Sequence, residues 1–308
     1  MTTALYTHAA CLQHDTGPGH PERMQRLSAI LQAVKGPEFD AVKWREAPLA
    51  ELAQIERMHD AEYVRLALAA VPDSGWAHLD GDTVMSPGSG EAALRAAGAV
   101  TAAVGAVITG EFKNAFCAVR PPGHHAERDI AMGFCVFNNV AIGAAEARAV
   151  HGLARVAVMD FDVHHGNGTQ HLFDHDAGLF YASTHQMPLY PGTGARSERG
   201  LGNICNAPLA PGSGSEEFRN AMETIVLPAM EAFRPELVMI SAGFDAHRRD
   251  PLAALEFETE DYAWATAELC ALAERCCGGR VVSTLEGGYD LVALAESAAA
   301  HLAALMAA

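Results

Sequence analysis

The chain has 308 residues, half of them hydrophobic, with 38 acidic against 21 basic side chains and a formal net charge of −17. That length supports one large α/β domain, here taken as a single catalytic domain over residues 1–308. The negative balance argues against nucleic acid and anionic membranes as main partners and is compatible with a cationic substrate.

The seven cysteines are odd in number, include the adjacent Cys276-Cys277 and contain no C-x-x-C pair. They read as scattered reduced thiols of a cytoplasmic protein. The first residues lack a basic stretch followed by an apolar run, so no signal peptide is expected. The most apolar window, residues 96–108, reads as a buried Ala-rich helix, too short to span a bilayer. A strand over 115–119 runs into Arg120-Pro121-Pro122-Gly123-His124-His125, and helical sequence follows over 138–151. Strands are expected at 155–159 and 179–182, a helix at 215–233 with Glu216 and Glu217 near its start, and a strand at 237–240. The chain closes with a helix at 259–276, a strand at 281–285 and an Ala-rich helix at 291–306. This alternation predicts a mostly parallel central sheet with helices on both faces.

Polar clusters follow four of these strands. They are Gly123-His124-His125, Asp160-Phe161-Asp162-Val163-His164-His165-Gly166-Asn167-Gly168, Gly243-Phe244-Asp245 and Glu286-Gly287-Gly288-Tyr289. Ligands of open α/β sheets bind at the carboxyl ends of the strands, so the four clusters are expected to converge. Asp162 and His164 are two apart and point the same way in an extended segment, and Asp245 could arrive from a neighbouring strand. Two carboxylates and one imidazole leave coordination positions open, the plan of a catalytic zinc site. His124 and His125 can move protons near neutral pH, with Asp160 orienting one of them. Tyr289, beside two glycines, presents a hydroxyl to an oxyanion. The inventory is that of amide hydrolysis.

At these residues the chain resembles the histone deacetylase superfamily, in particular its class II-like and bacterial amidohydrolase members. Further matching stretches are His20-Pro21-Glu22-Arg23, Asp82-Thr83 with Ser86-Pro87-Gly88-Ser89, Gly133-Phe134-Cys135, Asn138-Asn139, Tyr190 to Gly194, and Asp250-Pro251-Leu252. The resemblance implies a single-domain arginase/deacetylase-like fold and a zinc-dependent amide hydrolase acting through metal-activated water. It implies Asp162, His164 and Asp245 as zinc ligands and His125 as general base and acid. His124 would act electrostatically with Asp160 as its partner, Asn167 would orient a histidine, and Tyr289 would be the catalytic tyrosine. Gly133, Phe134 and Tyr190 would line the acyl-lysine tunnel, with Asp82 and Leu252 also at the substrate. The apolar Leu252 falls where polyamine-specific members can carry glutamate. Potassium is implied at Asp160, Asp162, His164, Ser183 and Thr184, and a second potassium near the backbone of Phe173, Asp176 and Leu179. Arg23 would line an internal channel. His247, Arg248 and Arg249 form an unusual basic spot near the rim.

The implied substrate is an acylated amine, small or peptidic: acetyl-lysine protein, acetylpolyamine and xenobiotic amide all fit. Acyl-chain preference, zinc against iron in the cell, and whether the chain forms a homo-oligomer stay open. Two other readings differ in kind. A binuclear manganese ureohydrolase needs carboxylates where this chain has Gly166 and His247. A non-catalytic acyl-ligand sensor would have lost a ligand, base or tyrosine, and none is lost.

Overall fold

The computed structural model describes residues 2–308. The strands are β1 (Thr3–Thr7), β2 (Lys43–Glu46), the short β3 (Ala77–His78) and β4 (Val84–Met85), β5 (Asn114–Cys117), β6 (Val156–Asp160), β7 (Leu179–Gln186), β8 (Ile204–Leu209), β9 (Leu237–Ala242) and β10 (Val281–Leu285). The helices are α1 (Met24–Ala33), α2 (Leu52–Ile55), α3 (Ala61–Ala69), α4 (Ser89–Ile108), α5 (Asn139–Ala149), α6 (Asn167–Phe173), α7 (Ser215–Ala221), α8 (Leu227–Phe233), α9 (Thr259–Cys277) and α10 (Leu291–Ala307). A π-helical turn, Met222–Val226, joins α7 to α8, so the expected helix over 215–233 is continuous but widened at its middle.

Eight strands form one sheet in the order β2-β1-β5-β10-β9-β6-β7-β8, and every pairing in it is parallel. Parallel strands need both faces covered, which is why β6, β9 and β10 read as near-continuous apolar runs buried along their whole length. α4 and α5 pack together against the sheet, while α1, α9 and α10 form a second packed group. The four strands that carry polar clusters, β5, β10, β9 and β6, are consecutive at the centre of the sheet. Their carboxyl ends are therefore neighbours, and the clusters meet.

Helix α4 begins at Ser89, well before the apolar window read from the sequence. At 20 residues it is long and apolar enough to cross a membrane by length and composition, yet most of it is buried inside the fold. Sequence alone misses β1, β2 and β8 of this sheet, short strands in which polar and apolar residues mix. All seven cysteines are free thiols, as expected.

His301 on α10 shows how the core handles a titratable group. Thr266 Oγ1 donates to the Tyr262 carbonyl at 2.6 Å, so it accepts from His301 Nδ1 at 2.6 Å. His301 Nε2 then accepts from Ser283 Oγ at 2.8 Å. Burial holds this neutral imidazole down at a pKa of about 3. The unfolded chain protonates the same ring near its ordinary value of about 6.5, so it binds more protons than the fold below that pH. The stability that His301 contributes is complete above about pH 6.5 and is lost as pH falls toward 3. Wild type is therefore expected to lose about 1 kcal/mol relative to His301→Gln between pH 6 and pH 5. Urea unfolding of both proteins at the two pH values checks this; parallel losses would contradict it.

Candidate active site

Three buried side chains from two strand ends face one another. Ligand atoms of Asp162, His164 and Asp245 all lie within 4.8 Å of one another. His164 Nδ1 sits 3.1 Å from Asp162 Oδ1 and 3.2 Å from Asp245 Oδ2. Burial disfavours charge on His164, but its hydrogen bonds to Asp162 and Asp245 override this and raise it to about 10. Two carboxylates in a buried pocket thus draw a positive charge to themselves, the electrostatic condition for holding a metal ion. The donor set, one imidazole nitrogen and two carboxylate oxygens, fits zinc with coordination positions to spare. The backbone is shaped around these oxygens. A Cβ on Gly287 would come within 2.1 Å of Asp245 Oδ2 and 2.5 Å of Asp162 Oδ2, so no larger residue fits there. The N–H of Gly287 instead donates to Asp162 Oδ2 at 2.8 Å, and that of Val163 to Asp245 Oδ1 at 2.8 Å.

The two histidines after β5 lie with ring centroids 4.0 Å apart and tilted by 43°, but one is charged and the other neutral. Burial opposes charge on His124, yet Asp162 and Asp160 raise it to about 10, with Nδ1 3.0 Å from Asp160 Oδ2. Burial, reinforced by the positive His124 and His164, pushes His125 well below its ordinary value. His125 Nδ1 lies 2.7 Å from Asn167 Oδ1, and the Asn167 amide nitrogen donates to Glu127 Oε1 at 2.7 Å. An amide oxygen only accepts, so His125 carries its proton on Nδ1 and leaves Nε2 as a free base. Asn167 is the first residue of α6, so the helix itself aims the base.

Tyr289 follows β10. Its backbone N–H donates to Asp250 Oδ2 at 2.7 Å, and its ring lies edge-on to Phe134 at 5.9 Å between centroids. The Arg26 guanidinium sits 4.9 Å from the ring centroid. Burial raises the phenol far above 10, so it stays a donor, and among the described residues nothing hydrogen-bonds to its hydroxyl. Phe134 and Tyr190 stand beside the site, Tyr190 edge-on to His125 at 5.2 Å between centroids. Gly133 has φ of +58°, and a Cβ there would come within 2.3 Å of the His125 ring. Asp82 Oδ1 accepts from Gly133 N at 3.1 Å, so this acid braces the loop that carries Gly133 and Phe134. Leu252 lies near the rim, partly exposed. Ser183, in register beside Asp160, and Thr184 are buried on β7.

Two readings change. Arg23 precedes α1 and is exposed, so it lines no internal channel. Arg26, in the first turn of the helix on its buried face, is the arginine that turns inward. It donates to the carbonyl of Gly288 at 2.6 Å and to that of Glu286, and pairs with Glu22 at 2.9 Å. The basic spot is also neutralised: Arg248 pairs with Glu258 at 2.9 Å, Arg249 pairs with Asp290 at 3.2 Å, and His247 is buried.

A match to the family model described as "Histone deacetylase domain" spans residues 20–305. The chain belongs to the histone deacetylase family. Among its deacetylase relatives, the "Histone deacetylase-like amidohydrolase" of Pseudomonas aeruginosa is 40% identical, covering 94% of this chain and 82% of that protein. The "Probable deacetylase" of Archaeoglobus fulgidus is 39% identical over the same shares, and "Histone deacetylase 14, chloroplastic" of Arabidopsis thaliana is 40% identical over 98% of this chain and 76% of its own length. The crystal structure of the HDA15 HD domain superposes with a TM-score of 0.95 at 35% identity, covering 99% of this chain and 88% of that one. The parallel sheet read from the alternation of elements and the deacetylase-like fold implied by the resemblance are thus the fold found.

Residues without an assigned role complete this deacetylase site. Glu286, fully buried, accepts from the N–H groups of Gly123 at 2.7 Å and His124 at 3.1 Å and from Ser241 Oγ at 3.1 Å, tying the histidine turn to β9 and β10. Tyr181 on β7 donates to Asp160 Oδ2 at 3.0 Å and accepts from Gly166 N at 2.9 Å. His165, with Nδ1 2.7 Å from Thr193 Oγ1 and Nε2 2.9 Å from Gln170 Oε1, is structural. Asp250 also accepts from Leu252 N at 3.0 Å, so one carboxylate joins the Tyr289 turn to the rim. Asp250→Ala is expected to lower kcat by about 10- to 100-fold through displacement of the Tyr289 hydroxyl. Bound metal should stay at the wild-type level. Steady-state kinetics with metal analysis checks this, and unchanged kcat would contradict it.

Proposed function

We propose that this chain is a zinc-dependent deacetylase that hydrolyses the amide bond of an acylated primary amine, giving a carboxylate and the free amine. The observation that carries the reading is the buried Asp162–His164–Asp245 triad, flanked by a neutral His125 and an unpartnered Tyr289 hydroxyl. Zinc held by the triad supplies Lewis acidity toward the acyl carbonyl and toward water. His125 Nε2 takes the proton of the attacking water and then delivers it to the leaving amine. The Tyr289 hydroxyl donates to the oxygen on which negative charge develops. His124, positive and held by Asp160, offsets the charge of the carboxylates and keeps the adjacent His125 unprotonated between turnovers. Phe134 and Tyr190 receive the alkyl stem of the amine, with Gly133 leaving room beside His125.

We also assign a monovalent cation to Asp160, Asp162, His164, Ser183 and Thr184. In support, the main-chain carbonyls of Asp162 and His164 accept no hydrogen bond among the described residues, and Thr184 Oγ1 is buried without a partner.

Hydrolysis of a panel containing an acetyl-lysine peptide, an N-acetylated polyamine and an aryl acetamide tests the reading. Stoichiometric release of acetate and amine from at least one of the two alkyl amides is expected. Acyl-ligand binding by zinc-loaded protein with no turnover of any member would favour a sensor instead.

A further inference from the structure

The second potassium implied by the family resemblance would need the carbonyls of Phe173, Asp176 and Leu179 to point at an ion. They do converge, but on a side chain. The amide nitrogen of Asn203 shares its two protons among Phe173 O at 2.9 Å, Asp176 O at 3.1 Å and Leu179 O at 2.7 Å. Asn203 precedes β8 and is 4% exposed. Its orientation is fixed from the other end, because Oδ1 accepts from the Leu201 N–H at 2.9 Å. The amide nitrogen therefore faces the carbonyls, and it occupies the point from which all three can be reached.

The acceptors are also nearly used up. Phe173 O accepts from Asp176 N at 3.0 Å and Asp176 O accepts from Leu179 N at 3.0 Å, in addition to the Asn203 amide. A carbonyl oxygen has two lone pairs, and the two amide protons are shared among three acceptors, so Phe173 O and Asp176 O together keep at most a partly free lone pair for a cation. The contrast with the carbonyls of Asp162 and His164, which have no donor, is direct.

We infer that this chain has no second monovalent-cation site, and that the Asn203 amide replaces the ion as an internal lock on the α6–β7 turn. The consequence reaches the active site. Helix α6 starts at Asn167, which aims His125, and ends at Phe173; β7 starts at Leu179 and carries Tyr181 and Ser183. A turn closed by a neutral side chain keeps both elements in place whatever the surrounding potassium concentration. The inference does not depend on the proposed reaction, nor on the cation assigned beside Asp160.

Crystals of the wild-type protein grown with thallium(I) replacing potassium decide the matter through anomalous scattering. No peak is expected among the Phe173, Asp176 and Leu179 carbonyls. A peak bonded to all three would overturn the inference. Asn203→Ala removes the amide and should convert the turn into a cation site, with a thallium peak where Nδ2 stood. Its melting temperature in KCl relative to choline chloride at equal ionic strength should rise by about 2 °C or more beyond the rise of the wild type. A folded variant with neither the peak nor the extra rise would also count against the inference. Should the variant not fold, the wild-type map decides alone.

Discussion

Replacing Tyr289 by phenylalanine is expected to lower turnover by about two to three orders of magnitude. Bound metal and melting temperature should remain at wild-type values. The ring is held independently of the hydroxyl, by Phe134 edge-on at 5.9 Å and by the Arg26 guanidinium 4.9 Å from its centroid, so phenylalanine keeps the packing. The hydroxyl has no partner within the described residues, so its loss leaves no buried group unsatisfied. What disappears is a donor aimed at a developing oxyanion, an interaction stronger in the transition state than in the bound substrate. Burial holds the phenol far above 10, so the donor is present across the whole working pH range and the deficit should be independent of pH. Steady-state kinetics on an acetyl-lysine peptide, paired with metal analysis, measures the effect. Full turnover would remove Tyr289 from the mechanism.

Replacing His125 by alanine is expected to cost about two to four orders of magnitude in kcat/KM, since one side chain both accepts and returns the proton. Its charge state also makes a pH prediction. Burial and the positive charge of His124 depress the His125 pKa, so the fraction of competent neutral base stays high as pH falls through 6.5. The acidic limb of the wild-type kcat/KM profile attributable to His125 should therefore lie below that ordinary histidine value. Asn167→Asp places a carboxylate against Nδ1, stabilises the protonated ring and should move the limb upward. Profiles of the two proteins side by side check the direction. A limb that stays put, or moves down, would contradict the role assigned to Asn167.

Much of this site was legible in the sequence because its chemistry is local. Asp160, Asp162 and His164 lie within five residues after an apolar strand, and such a group has no purpose in a core other than to hold charge. The alternation of strands and helices placed Asp245, His125 and Tyr289 at equivalent ends. What sequence could not supply is the phase of an element and the identity of a distant partner. Arg26 and Arg23 differ by under one helical turn, and only the start of α1 at Met24 decides which one turns inward. The acids that neutralise Arg248 and Arg249 come from Glu258 and Asp290, on other segments. Asn203 follows the loop glycines Gly200 and Gly202 with nothing to mark it; its function exists only where three carbonyls from another segment close on its nitrogen. Glu286 belongs to a motif visible in the sequence, but its work, holding the Gly123–His124 backbone, depends on β10 and β5 being neighbours.

The central claim is that a metal held by Asp162, His164 and Asp245 is needed for amide hydrolysis. Acetate release from an acetyl-lysine peptide, or from the best amide of the panel, should be measured on purified protein as isolated, after exhaustive chelation, and after titration with zinc. Hydrolysis is expected to vanish with the metal and to return with one equivalent of zinc per chain. Asp245→Asn is expected neither to retain the metal at that stoichiometry nor to recover activity. Undiminished hydrolysis by protein verified to be metal-free would contradict the claim.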